Sequence, residues 1–181
     1  WLVTAGEAKR YAEACAKVGA KLVAVASNPV DGVWQDQPAR PTAAITTQPT
    51  QFAGRSAADK LKDMAKAIAG NDAVVLTQPD SVAWVLNLRG FDVPYTPVIS
   101  AYAILHRKGK AELFIDGAKV PEDVRDHLKR IATVRKPAEI AAALKALGKS
   151  KATVLIDAGS APEAIRAGLA KSGAKIANGA D

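Results

Sequence analysis

Two histidines, one cysteine and scattered carboxylates are the side chains of this 181-residue sequence that acid–base or metal chemistry would draw on. Metal sites gather His, Cys, Asp or Glu at ligand spacing. Here His106 stands beside a turn and His127 on a charged helical stretch, neither with a second histidine or a cysteine close in sequence. His127 comes one position before Leu128, which places it at the edge of a buried face. Cys15 falls on the apolar face of an expected helix and reads as a buried, inert thiol; a single cysteine excludes an internal disulfide. Neither common glycine-rich phosphate cradle occurs, nor a G-x-S-x-G elbow. Asp157 follows a strand as a ribose-binding acid would, but without the glycine fingerprint. No catalytic centre is legible in these residues.

What does crowd together is the stretch from Asp80 to Tyr102, DSVAWVLNLRGFDVPYTPVISAY. Asp80 or Ser81 would cap a short amphipathic segment carrying Val82, Trp84, Val85 and Leu88. An Arg89-Gly90-Phe91-Asp92 turn follows, in which an Arg89–Asp92 ion pair would hold the loop, and Pro94 and Pro97 stiffen it by fixing φ. The stretch reads either as a rigid corner between helix and strand or as the rim of a recognition site, since preorganised exposed loops carry recognition.

The elements that must position this stretch follow from capping and periodicity. Thr4-x-x-Glu7 is a capping-box signature; Ala8, Tyr11, Ala12 and Cys15 follow at helical spacing, and Gly19 ends the helix. Lys21–Val25 reads as a short strand. Asn28–Phe52, with Pro29, Pro38, Pro41 and Pro49, has no sustained period and reads as a linker, with Trp34 as a hydrophobic plug. Ser56-x-x-Asp59 opens a helix with Leu61, Met64, Ala65 and Ile68 on one face and Gly70 at its end. Ala73–Leu76 is an apolar run suited to a buried strand. Val98–His106 and Ala111–Ile115 flank a Gly-containing link and predict a hairpin. Pro121, Glu122 and Asp123 start a helix with the stripe Val124, Leu128, Ile131. Pro137 starts another, with Ile140, Leu144 and Leu147 inward and Gly148 after it. Thr153–Ile156 is a strand. Ser160-x-x-Glu163 caps a last helix carrying Ile165 and Leu169, Gly173 closes it, and Lys175–Ala177 adds an edge strand.

From residue 53 onward this order predicts an α/β domain, a mixed β-sheet flanked by helices on both faces, because each helix has one apolar stripe to bury. The hairpin argues against a pure doubly wound sheet. Hydrophobic residues make up 49% of the chain, ample for a core, and no run approaches the ~18 apolar residues of a membrane span. Trp1 is not a natural start, and the chain reads as cut from a longer one. The net charge of +7 concentrates in Arg107–Lys151, with twelve Lys/Arg against six Asp/Glu. No aromatics alternate with these cations for bases to stack on, so the excess reads as a solvated face or one that meets an acidic partner domain.

Three ordered segments carry a family resemblance: NPVDGVWQDQPARP (Asn28–Pro41), AGRSAADKL (Ala53–Leu61) and VAWVLNLRGFDVPYTPVISAYAIL, joined by ELFID (Glu112–Asp116). Together they resemble the Xaa-Pro aminopeptidases of the three-domain aminopeptidase P form. The resemblance implies the tail of a first N-terminal domain at 1–26, an interdomain linker at 27–52 and a second creatinase/prolidase-type N-terminal domain, with a ribonuclease-H-like motif, at 53–181. It implies no catalytic or metal-binding residue in this chain. A separate catalytic domain would carry two manganese ions on two Asp, one His and two Glu, so this chain alone would be inactive. Arg89, Asp92 and Tyr95 are the expected rim of the substrate cleft. The implied partners are the chain's own catalytic domain, short peptides with proline second, and a second copy in a homodimer, in the cytoplasm, with neither nucleic acid nor membrane. A prolidase or creatinase relative, or a standalone basic nucleic-acid-binding module, are the alternatives; the long linker and the LNLRG–PY pairing favour the aminopeptidase.

Overall fold

The computed structural model describes residues 3–25 and 27–180; Trp1, where the expected tail begins, and Asp181 lie outside them. Helix α1 (Ala5–Lys17) starts with the expected capping box, Thr4 Oγ1 accepting from the Glu7 amide and the Glu7 carboxylate from the Thr4 amide. Its first turn docks on the segment before the last helix: the amides of Ala5 and Gly6 donate to the carbonyls of Ala161 and Ala158. A Cβ at Gly6 would lie 3.0 Å from the Ala158 oxygen, so a small residue lets the backbones meet. The rest of α1 has little to pack on. Tyr11 is exposed and Cys15 only half-buried, which corrects the expectation of a buried thiol.

Lys21–Val25 forms no strand; these residues are exposed and irregular, because no sheet edge among the described residues offers them a partner. Trp34 is no plug either, being 46% exposed after the Asn28–Val33 turns. The residue of this proline-rich stretch that enters the core is Ile45, fully buried, followed by the two-residue strand β1 (Thr46–Thr47) and one helical turn, α2 (Thr50–Ala53).

Beyond it come α3 (Ala57–Ala67), β2 (Ala73–Leu76), α4 (Pro79–Leu86), β3 (Leu88–Arg89), β4 (Tyr102–His106), β5 (Ala111–Phe114), α5 (Glu122–Leu128), β6 (Ala132–Arg135), α6 (Ile140–Lys149), β7 (Thr153–Ile156), α7 (Glu163–Ser172) and β8 (Lys175–Asn178). Six strands form one mixed sheet in the order β6-β5-β4-β2-β7-β8. Only β4 runs against the rest: it is antiparallel to β2 and β5, whereas β2–β7, β7–β8 and β5–β6 are parallel.

The period-2 alternation of strands divides the core. Val74 and Leu76 of β2, Leu105 of β4 and Leu113 of β5 face α3, α4 and α5, while Val75, Ile104 and Phe114 face α6 and α7 with Val154 and Ile156. Helices thus cover both faces, as the pattern predicts. Several local boundaries differ, and Leu88, expected on the short amphipathic segment, lies in β3 instead. The expected strand from Val98 begins only at Tyr102. Helix α4 starts with Pro79 after Gln78, rather than at Asp80 or Ser81, because proline suits the first helical position. Pro162, not Ser160, precedes α7. Gly148 lies inside α6, packed against Ser172 of α7, not beyond the helix end.

Candidate functional site

Everything distinctive about the Asp80–Tyr102 corner starts at the end of α4. Asn87 takes the left-handed conformation there, with φ 52° and ψ 49°, which asparagine tolerates better than most residues. The last carbonyls of a helix need donors from elsewhere, and two neighbouring helices supply them. Lys60 of α3 donates through Nζ to the Trp84 carbonyl at 2.9 Å and to Asn87 Oδ1 at 2.7 Å. His127 of α5 places Nε2 2.8 Å from the Leu86 carbonyl. Asn87 Nδ2 in turn donates to the Arg55 carbonyl, and the Asn87 carbonyl accepts the Gln48 amide.

Lys60 is 3% exposed and has no carboxylate partner among the described residues. Burial lowers its pKa, and the nearby Arg89 and Arg55 cations lower it further. The indole of Trp84 lies 4.2 Å from Nζ, in range of a cation–π contact that offsets part of the lost hydration. The sequence did carry a signal for Lys60. It precedes Met64 by four positions, so it sits on the apolar stripe of α3, where a charge needs a partner.

Past Asn87 the chain enters β3, which pairs antiparallel with β1, Thr46 opposite Arg89 and Thr47 opposite Leu88. Gly90 follows in a tight place. A Cβ there would lie 2.7 Å from the Ile99 side chain and 3.3 Å from that of Ile45, so only glycine lets the Ile45 segment and the corner close on each other.

The expected Arg89–Asp92 ion pair does not form. Arg89 Nη1 donates to the Leu88 carbonyl, and Asp92 turns inward to Lys119, in the short 3-10 turn Gly117–Lys119. Both side chains of that pair are at most 3% exposed, and Asp92 Oδ2 also accepts the Ser100 amide. Burial works against the Asp92 charge, but Lys119 and the Ser100 amide outweigh it and hold the carboxyl below its ordinary range. Nothing local in the sequence marks Lys119, which is 27 residues away. The buried pair pins the base of the loop that carries Phe91, Val93 and Tyr95 in solvent; Tyr95 has φ 61°.

Arg89 also lines a cleft of about 690 Å3. Trp84, Met64, Pro97 and Val98 form apolar parts of its wall and Asp80 a second charged group. Of the three expected rim residues, Arg89 is the one in this lining; Asp92 lies behind it in the ion pair and Tyr95 projects from the loop tip. The arrangement suits recognition: one half-buried guanidinium beside an aromatic and apolar wall. Among the described residues no three His, Cys, Asp or Glu side chains converge to hold a metal ion, so they do not fit a two-metal centre. His106 pairs with Glu112 at 2.9 Å, and Arg135 holds the other carboxylate oxygen at 2.6 Å. No described helix is long and apolar enough to cross a membrane.

Comparison with known proteins gives this geometry a context. Residues 36–181 match the family described as Creatinase/Prolidase N-terminal domain. A probable Xaa-Pro aminopeptidase P of Arthroderma gypseum is 38% identical over 155 residues, which are 84% of this chain and 24% of that protein. Aminopeptidase P1 of Lotus japonicus is 41% identical over 131 residues, 71% of this chain and 20% of its own length. The chain thus spans about a quarter of the curated relatives it matches. Among solved structures, the X-prolyl aminopeptidase of Caenorhabditis elegans, described as a cytosolic enzyme with a di-nuclear active site, superposes with a TM-score of 0.87 over 98% of this chain and 30% of that one. At 22% identity that likeness establishes the fold.

Proposed function

The chain belongs to the creatinase/prolidase N-terminal domain family, and from that premise we infer that it serves as a non-catalytic N-terminal part of a cytoplasmic Xaa-Pro aminopeptidase, a hydrolase that releases the residue before proline. Residues 1–26 are the tail of a first domain, 27–52 the linker and 53–181 the second domain. Two manganese ions belong to a separate catalytic domain, where they would supply the activated hydroxide and stabilise developing charge. This domain wall shapes the cleft, limits access to short peptides and supports a homodimer.

The observation that carries the reading is the position of Arg89 on the edge of an open cleft, with its backbone held by β1 and its loop by the Asp92–Lys119 pair. A guanidinium so placed binds a peptide carboxylate or carbonyl by charge-assisted hydrogen bonds. Asp92 positions the loop and Tyr95 extends the rim toward the catalytic domain. In the complete enzyme, Arg89→Ala should change KM or kcat for Xaa-Pro peptides by about tenfold, the scale of one such bond. Unchanged kinetics with unchanged thermal stability would overturn the assignment. As a companion measurement, the 181-residue chain alone should show no turnover and no tight manganese binding.

A further inference from the structure

The molecule holds a second concavity, which shares no lining residue with the Arg89 cleft. It is about 300 Å3 and sits between α3, the β4–β5 hairpin and the turn from α5 to β6. Its floor is apolar: Leu61 and Ala65 of α3, Leu105 of β4 and Ile131 after α5. Its polar lining is wholly basic, namely Lys62, His106, Arg107, Lys110 and Arg130, without one carboxylate. Gly109, at φ 104°, makes the tight hairpin turn that brings Arg107 and Lys110 to the same mouth.

His106 is already engaged by Glu112, but the lysines and arginines of the lining are incompletely neutralised. Arg107 reaches Asp72 only at 3.7 Å with both side chains about half exposed, a spacing at which surface pairs contribute little. Lys110 Nζ donates to the Lys129 carbonyl, a neutral acceptor. Lys62 meets Asp59 at 3.5 Å on the open surface, and Arg130 has no ion pair among the described residues. Like charges lining one pocket repel one another, so a bound anion of more than one charge would relieve them.

We propose that this pocket binds a small organic phosphate, the phosphate at the mouth among Arg107, Lys110 and Arg130 and the apolar body over Leu61, Ala65 and Ile131. A phosphate monoester carries −1.5 to −2 charges near neutral pH and three acceptor oxygens, which matches paired guanidinium forks better than a single carboxylate does. The volume lies at the small end of ligand pockets. Nucleic acid is the poorer fit, because the lining holds no Phe, Tyr or Trp on which a base would stack. Three of the twelve cations of Arg107–Lys151, namely Arg107, Lys110 and Arg130, thereby acquire a role that does not depend on the aminopeptidase reading.

The test is titration of the purified protein at low salt with phenyl phosphate and, separately, with inorganic phosphate, followed by calorimetry or amide chemical shifts. Phenyl phosphate should bind saturably, and more tightly than inorganic phosphate, which lacks the apolar body. Shifts should centre on the amides of 105–111 and 130–131. The exposed double variant Arg107→Ser/Arg130→Ser should retain its fold and bind about tenfold more weakly, the scale of losing charge-assisted bonds. Absence of saturable binding, equal affinity in the double variant, or tighter binding of a single-stranded oligonucleotide than of phenyl phosphate would each overturn the proposal.

Discussion

Lys60 Nζ lies 2.7 Å from Asn87 Oδ1, a contact that ties the first turn of α3 to the residue where α4 turns into β3. The same ammonium covers the Trp84 carbonyl, so one buried cation closes the end of a helix and fixes the start of the Arg89 corner. It stands in for the basic residue that usually complements the negative end of a helix dipole.

Replacing Lys60 with Ala should therefore cost about 2–4 kcal/mol, since it leaves Asn87 Oδ1 and a helix-end carbonyl without their donor and opens a cavity. Urea unfolding measures this. The pH dependence has a definite sign. A lysine whose pKa is lowered by folding binds fewer protons in the native than in the unfolded state, so stability rises with pH between the lowered native value and the ordinary lysine value. That alkaline rise should shrink in Lys60→Met relative to the parent chain, and an identical slope in both proteins would count against a buried, depressed ammonium.

The Asp92–Lys119 pair predicts the opposite limb. A carboxyl held below its ordinary range in the folded state contributes stability above the ordinary value and loses it as pH falls through the native one. Asp92→Asn should lower stability at neutral pH by roughly 3 kcal/mol, because it leaves Lys119 buried without its counter-charge. The two proteins should converge in acid, where Asp92 is itself neutral. Unfolding midpoints across an acid pH series check this, and a constant difference at every pH would refute it.

Gly148 supplies a test of packing against propensity. Alanine is the better helix former by about 1 kcal/mol, so Gly148→Ala would stabilise an isolated α6. In the folded protein a Cβ there would fall 2.1 Å from Ser172 Oγ and 2.5 Å from the Ser172 carbonyl carbon. Because backbone blocks it, the helices α6 and α7 must separate, and the variant should lose at least ~2 kcal/mol, within the range for overpacked cores. Thermal denaturation of the variant reads the sign directly.

Much of the fold was legible because its signals are local. The Thr4–Glu7 capping box, the strand runs Ala73–Leu76 and Thr153–Ile156, the hairpin turn at Gly109 and the stripe of α3 all form where periodicity and caps place them. Lys21–Val25 shows the limit of the same reasoning, since a strand-like run becomes a strand only where an edge can pair with it. Trp34 shows another: residue type suggests burial, yet it is Ile45 that the α/β core encloses.

At the corner itself, the sequence determined by itself that Asp80–Tyr102 would be a stiff, non-periodic turn. Proline φ angles, a short helix and a glycine are properties of the local chain. It also named Arg89, Asp92 and Tyr95 as neighbours in one loop. Which of them would pair with what was decided only by tertiary structure. Asp92 chose Lys119 over Arg89 because folding removes Asp92 from water and brings a buried ammonium to it from 27 residues away. That choice leaves Arg89 at the edge of the cleft, and no spacing rule along one chain could have made it, because the energy of a buried charge depends on which distant group shares its burial.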